Sequence, residues 1–168
     1  DIILLGVSRT SKTPTSIYLA NKGYKTSNIP LVNEVGKSDI ILLGVSRTSK
    51  TPTSIYLANK GYKTSNIPLI NENSIPKILK DNPKISCVIG LNTEAERLVD
   101  VRKNRMNSLK ETDNKKYTNI GNIQREIDEA KKTFKRYGWP TIDVTRKSVE
   151  ETAASIIKIH EIYTQNNE

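Results

Sequence analysis

Short apolar runs and amphipathic stretches alternate along the second part of this chain. The run Asp39-Ile-Ile-Leu-Leu43 is continuously apolar between an Asp and a Gly, the pattern of a parallel strand covered on both faces. Gly44 ends it, and Thr51 to Lys60 reads as a helix with Pro52 in its first turn and Gly61 at its close. Lys63 to Leu69 predicts a second strand, Ile75 to Asp81 a short helix and Ile85 to Leu91 a third strand. Thr93 caps a helix reaching Asn107, with Leu98, Val101 and Met106 on or near its inner face. Lys110 to Lys116 is polar and predicts a loop. From Ile120 to Tyr137, Ile123, Ile127, Ala130 and Phe134 form one stripe and Gly138 stops the helix. Trp139 to Thr145 predicts the last strand. Ser148 and Glu151 form a capping box for a final helix that turns Val149, Ala153, Ile156 and Ile157 to the sheet. Strands alternating with helices predict an α/β fold, a mainly parallel sheet with flanking helices and a P-loop-like nucleotide-binding domain.

The first part of the chain changes this picture, because it is a near copy of the segment that begins at Asp39. Residues 1–31 are identical to residues 39–69, and Asn33-Glu34 returns as Asn71-Glu72 with Val32 replaced by Ile70. Solenoid units diverge on their surfaces and need three or more copies to share a core. Exposed positions such as Lys22 and Lys60 have no packing reason to remain the same, so a recent duplication or a gene-assembly error explains the identity better. The second copy is read as the working one, since it runs directly into the remainder of the chain. Residues 1–38 are then a peripheral duplicated strand-loop-helix unit, able to add to a sheet edge, and residues 39–168 are the nucleotide-binding domain. The start at Asp1, inside an apolar run, reads as a fragment lacking an amino-terminal portion.

Composition narrows the chemistry. The 27 Lys and Arg against 18 Asp and Glu leave a net charge of +9, which favours anionic partners. A single Cys and a single His exclude zinc clusters, Cys/His nucleophilic pairs and disulfides within the chain. Cys87 reads as a buried strand residue, His160 as a packing or surface residue and Trp139 as a core anchor. No apolar run reaches the length of a membrane span, so no membrane partner and a reducing, cytoplasmic location are expected. The basic stretch from Arg97 to Arg136 raises nucleic-acid binding as an alternative. It lacks interleaved aromatics and carries Asp100, Glu126, Asp128 and Glu129, which favours a solvated helical surface and no nucleic-acid partner. Nothing in the sequence sets an oligomeric state.

One segment carries chemistry. Gly44 to Thr51 reads G-V-S-R-T-S-K-T between a strand and a helix, close to the phosphate-loop pattern G-x-x-x-x-G-K-[ST]. In that pattern the amides of Gly44, Val45, Ser46, Arg47, Thr48, Ser49, Lys50 and Thr51 face phosphate oxygens. Lys50 reaches a terminal phosphate and the Thr51 hydroxyl holds Mg²⁺. Ser49 stands where the second Gly is expected, and its side chain must point away from the phosphates. The plainer alternative is a Ser/Thr/Lys-rich turn.

The segment GVSRTSKTPTSIYLANKGYKTSNIPL resembles the pyruvate, phosphate dikinase regulatory protein family. The resemblance continues through ISCVIGL, ERLVDVRKNRM and RYGWPTIDVTRKSVEETAA to the final helix, covering the chain from Asp39 onward. The related phosphoenolpyruvate synthase regulators typically have Ser-Gly-Lys-Thr in the loop, so Thr48-Ser49-Lys50-Thr51 favours the dikinase branch. The resemblance implies a bifunctional serine/threonine kinase and phosphorylase. It would transfer a phosphoryl group from ADP to a threonine of the dikinase, and remove it with inorganic phosphate to give diphosphate. Members carry a further amino-terminal region before the loop, so an inactive nucleotide-binding fragment is the alternative.

Phosphoryl transfer then needs a phosphate cradle, a metal and a group orienting the attacking hydroxyl. Lys50 and Thr51 supply the first two, and Arg47 would neutralise transition-state charge. Asp143, at a strand end, is the candidate for metal binding or for taking the threonine proton, against a capping or solvated Asp. Thr145 and Arg146 come next in the chain as candidate phosphate contacts, against the simpler reading of a surface Arg. Arg102 and Arg105, three apart, would share a helix face that grips phosphate or an acidic protein surface, against a solvated face.

Overall fold

A computed structural model describes residues 2–6, 26–30, 38–109 and 115–166. Four parallel strands make the main sheet: β3 (Ile40–Gly44), β4 (Thr64–Pro68), β5 (Cys87–Asn92) and β6 (Thr141–Asp143), in the order β4-β3-β5-β6. β1 (Ile2–Gly6) and β2 (Thr26–Pro30) pair with each other as a separate two-stranded parallel sheet. Their register, Ile2 beside Thr26, is that of Ile40 beside Thr64 in the second copy, as identical sequences dictate. The two strands pair with each other and add no strand to an edge of the main sheet, which the sequence left open as one possibility. The loop and helix expected between them lie at residues 7–25, outside the described residues.

The helices are α1 (Lys50–Asn59), α2 (Lys77–Asp81), α3 (Ala95–Leu109), α4 (Lys115–Thr118), α5 (Ile120–Tyr137) and α6 (Val149–Gln165). Every residue of β3 is buried, as a run without polar alternation requires. Ile41, Leu43 and Val45 point to one core with Val88, Leu98, Ile123, Ile127 and Phe134. Ile40 and Leu42 point to the other with Leu57, Ile89, Ile142, Ala153 and Ile156. The result is three layers, with α3 and α5 over one face of the sheet and α1 and α6 over the other.

Two expected boundaries moved. The strand predicted over Trp139 to Thr145 pairs only at Thr141–Asp143. Trp139 instead anchors the preceding turn, buried with its indole donating to Pro83 O at 2.9 Å and stacked on Tyr137. The polar segment after α3 contains the short helix α4, while residues 110–114 lie outside the described residues. The stop at Gly138 holds: its φ of 68° is the left-handed cap that favours glycine. The capping box of α6 also holds, with Ser148 N donating to Glu151 Oε2 at 2.8 Å and Glu151 N to Ser148 Oγ at 3.1 Å.

Candidate active site

A completely buried strand delivers the backbone to Gly44, and there the chain must turn into α1. A Cβ on Gly44 would lie 2.6 Å from Thr48 Oγ1 and 2.7 Å from Leu91 O, so only glycine lets the loop fold back this tightly. Arg47 and Ser49 take positive φ, 72° and 57°, a region costly to L-residues with a Cβ. Ser49, at the position where the phosphate-loop pattern has its second Gly, is thus held in the conformation a Gly would adopt freely.

Among the described residues the loop also leaves donors without partners. Ser49 is the N-cap of α1, yet its side chain makes no capping bond. The amides of Ser49, Lys50 and Thr51 donate to no described residue, Pro52 has none, and the first helical bond runs from Thr53 N to Ser49 O at 3.1 Å. A helix start with unfilled amides and its positive dipole end is suited to an anion.

Lys50 lies inside this turn. Its ammonium donates to Gly44 O and Val45 O, both at 2.7 Å, and to Thr48 Oγ1 at 3.3 Å, while Thr48 Oγ1 donates to Val45 O. Only 9 % of the residue is exposed. Burial lowers its pKa from 10.5 to about 8, with the positive charges of Arg102 and Arg47 adding to the effect. Thr51, Ser46 and Arg47 are exposed around the loop.

The other predicted residues divide. Asp143, exposed at the end of β6, is two strands from β3, roughly 10 Å at the usual strand spacing. Its Oδ1 accepts from Thr145 N at 2.8 Å and Thr145 Oγ1 at 2.6 Å, and the Thr145 hydroxyl above all holds the carboxyl below its ordinary pKa. Thr145 Oγ1 in turn accepts from Glu94 N at 3.0 Å, which ties the ends of β5 and β6 together. Arg146 is exposed.

Arg102 and Arg105 do not share an accessible face. Arg105 is exposed, whereas Arg102 is fully buried and paired with Glu126, Nη2 to Oε2 at 2.6 Å. Nη1 donates to Tyr117 O at 3.1 Å and the guanidinium lies 4.5 Å from the Tyr117 ring centre. Tyr117 also meets the loop, its hydroxyl 3.1 Å from Ser46 Oγ. Glu126 and Tyr117 had no role in the sequence-based site. The signal for Arg102 lay in its spacing: Leu98, Arg102 and Met106 stand four apart, so an arginine occupies the centre of a buried stripe.

A buried parallel strand, a strained turn and a lysine folded beneath an open helix start are features that many phosphate-binding chains share, and comparison with known proteins separates them. The profile of the Kinase/pyrophosphorylase family matches residues 1–37 and, separately, residues 33–157. The chain belongs to that family. A protein of Pelagibacter ubique named as a pyruvate, phosphate dikinase regulatory protein is 74% identical over 166 residues, covering 99% of this chain and 47% of the relative. Proteins of the same name from Sphingopyxis alaskensis and Bartonella bacilliformis are 52% and 50% identical, over 96% and 95% of this chain and 45% and 43% of theirs. The chain therefore spans about half the length of the curated relatives it matches. Both profile matches include a copy of the loop, so the family assignment covers the duplicated unit as well as the main sheet.

Among the described residues no helix is long and apolar enough to cross a membrane. Nor does any group of three or more His, Cys, Asp or Glu there form a ready-made metal cage. Cys87 is buried in β5, with burial raising its pKa to about 11, far from a reactive thiolate.

Proposed function

We propose that the Gly44–Thr51 loop binds the diphosphate of ADP with Mg²⁺, and that the protein acts as a regulatory kinase and phosphorylase on a threonine of pyruvate, phosphate dikinase. The observation that carries this reading is Lys50: a buried ammonium held by two loop carbonyls at a helix start whose amides find no partner among the described residues. Family membership and the names of the relatives support the choice of substrate.

In this reading the amides of Ser49, Lys50 and Thr51 bind phosphate oxygens, and Lys50 exchanges its carbonyl partners for phosphate. Exposed Arg47 meets charge that builds on the transferred group. Thr51 would hold Mg²⁺, an ion that takes one or two protein oxygens and completes its shell with phosphates and water, so the lack of a carboxylate cage is compatible with it. The metal would supply neutralisation of the phosphate charge. Thr145 holds the Asp143 carboxyl below its ordinary pKa, which makes it a weaker proton acceptor than a free carboxylate. That favours it as a metal-side or hydroxyl-orienting carboxylate over a base that keeps the proton. The kinase direction forms a bond from threonine Oγ to the β-phosphorus of ADP, breaks its bridge to the α-phosphate and releases AMP and a proton. The reverse task breaks the phosphothreonine bond by attack of inorganic phosphate, giving threonine and diphosphate.

ADP titrations with and without Mg²⁺, on the chain and on Lys50→Ala and Lys12→Ala, test the reading. Loss of affinity in Lys50→Ala alone is expected. Unchanged affinity in both variants overturns it.

A further inference from the structure

We propose that Arg102 is a positioning residue of the phosphate site, a buried cation tied to the loop through Tyr117 and Ser46 that makes the loop select a diphosphate over a monophosphate. This rests on the nucleotide reading above and goes further into it. Arg102 is not in the loop, and nothing in the phosphate-loop pattern asks for a charge on α3.

Three observations support it. A fully buried guanidinium is expensive unless it is paired and hydrogen-bonded, and this one has a single carboxylate, Glu126, which is itself 39 % exposed. Its Nε, also buried, has no hydrogen-bond partner among the described residues. Its charge is also felt at Lys50, where together with Arg47 it opposes a third positive charge. Lys50, Arg102 and Arg47 against Glu126 leave the cluster with an excess of positive charge, two of the cations being buried. An arrangement that repels itself is retained where an anion of matching charge completes it.

The way Arg102 is held fits a positioning task. Glu126 grips both terminal nitrogens, Nη1 at 3.3 Å and Nη2 at 2.6 Å, and fixes the plane of the fork. Tyr117 stacks on that plane and passes the position to the loop mouth through Ser46. α3 and α5 thereby hold one charge near the loop, and Tyr117 of α4 carries its placement to Ser46. Electrostatic attraction grows with the charge of the ligand, so a third cation gains more from a diphosphate than from a monophosphate.

The test is the affinity of the chain for ADP and for AMP, with Mg²⁺, in the parent and in Arg102→Met and Arg102→Lys. Arg102→Met is expected to weaken ADP by about tenfold or more and AMP by less than about threefold, while Arg102→Lys keeps ADP within about threefold of the parent. Should Arg102→Met fail to fold, Arg102→Gln removes the charge with a polar side chain that still carries an amide donor, and the same two affinities decide. Three results overturn the proposal: equal weakening of ADP and AMP, a loss in Arg102→Lys as large as in Arg102→Met, or parent-like binding in Arg102→Met. A folded parent chain that binds neither nucleotide overturns the nucleotide reading itself, and the selectivity proposal with it.

Discussion

The carboxyl ends of β3 and β6 lie in the same sheet and solve the same problem, turning a strand into a helix, in opposite ways. After β6, Asp143 accepts both the amide and the hydroxyl of Thr145, and Ser148 and Glu151 then cap each other before α6 begins. After β3, two non-glycine residues sit at positive φ, the N-cap makes no capping bond and an ammonium is buried against carbonyls. The β6 turn is satisfied by its own side chains. The β3 turn is left strained and open, and such departures from local consistency concentrate at functional sites.

The sharpest way to break this comparison is Lys50→Met. Loss of the charged contact to phosphate should weaken ADP by about 10- to 100-fold. Stability should rise at the same time. The fall of the Lys50 pKa from 10.5 to about 8 corresponds to about 3 kcal/mol of penalty near neutral pH. Leaving Gly44 O and Val45 O without their donor takes back about 1–2 kcal/mol. A net gain of about 1–2 kcal/mol in chemical denaturation is the expected result. The sign with pH comes from the depressed value: the penalty is full below pH 8 and is relieved as pH rises from about 8 toward 10.5, so the advantage of the variant shrinks across that window. A variant less stable than the parent at pH 7 would show that Lys50 is part of the scaffold.

Much of this contrast was legible in the chain. The uninterrupted DIILL run, the glycine after it and the Lys-Thr pair fixed the place of the loop, because burial and turn chemistry are local properties of those residues. The Ser148/Glu151 box was legible for the same reason. For Arg102 the spacing from Leu98 and Met106 marked a buried position, but its partners Glu126 and Tyr117, 24 and 15 positions away, meet it only in space. The strand after Trp139 was read too long because Trp139 and Pro140 look like strand residues, while the Asp143–Thr145 turn ends the pairing after three.

Gly44→Ala strikes the β3 turn through its backbone. The added methyl would have to displace both the Thr48 hydroxyl and the carbonyl of Leu91, the latter in a central strand, so a loss of about 1–3 kcal/mol is expected together with weaker ADP binding. An alanine variant that unfolds like the parent would show that the turn relaxes freely, and its tightness would then say nothing about a ligand.

Ser148→Ala probes the satisfied side. Losing the cap of α6 should cost about 1 kcal/mol and leave ADP affinity unchanged. The amide and hydroxyl of Ser148 hold the Glu151 carboxyl below its ordinary pKa, so this part of the box contributes above that range and is lost as pH falls through the depressed value. The hydrogen bond from the Ser148 amide to Glu151 survives in the variant, so both chains should weaken in acid and most of the gap between their urea melts should remain. A fall in ADP affinity in Ser148→Ala would mean that the two strand ends are coupled.

The smallest effect, and the one that asks most directly why the β3 turn is strained, is expected for Ser49→Gly. Ser49 has φ 57° and ψ 17°, its hydroxyl caps nothing, and the side chain is exposed. Glycine enters this region without the clash between Cβ and carbonyl, a gain of about 1–2 kcal/mol. Glycine also gives the unfolded chain more freedom, which returns up to about 1 kcal/mol. The balance is a stability gain of about 0.5–1 kcal/mol, read as a higher denaturation midpoint at unchanged slope. ADP affinity should stay within about threefold, because the amides of Ser49, Lys50 and Thr51 keep their directions. If the glycine variant gains stability and loses ADP, the strain at Ser49 is what holds the amides open for phosphate. If it gains stability and keeps ADP, the strain is only the cost of a serine in a glycine's conformation, and the open state of the turn rests on Lys50 and Arg102.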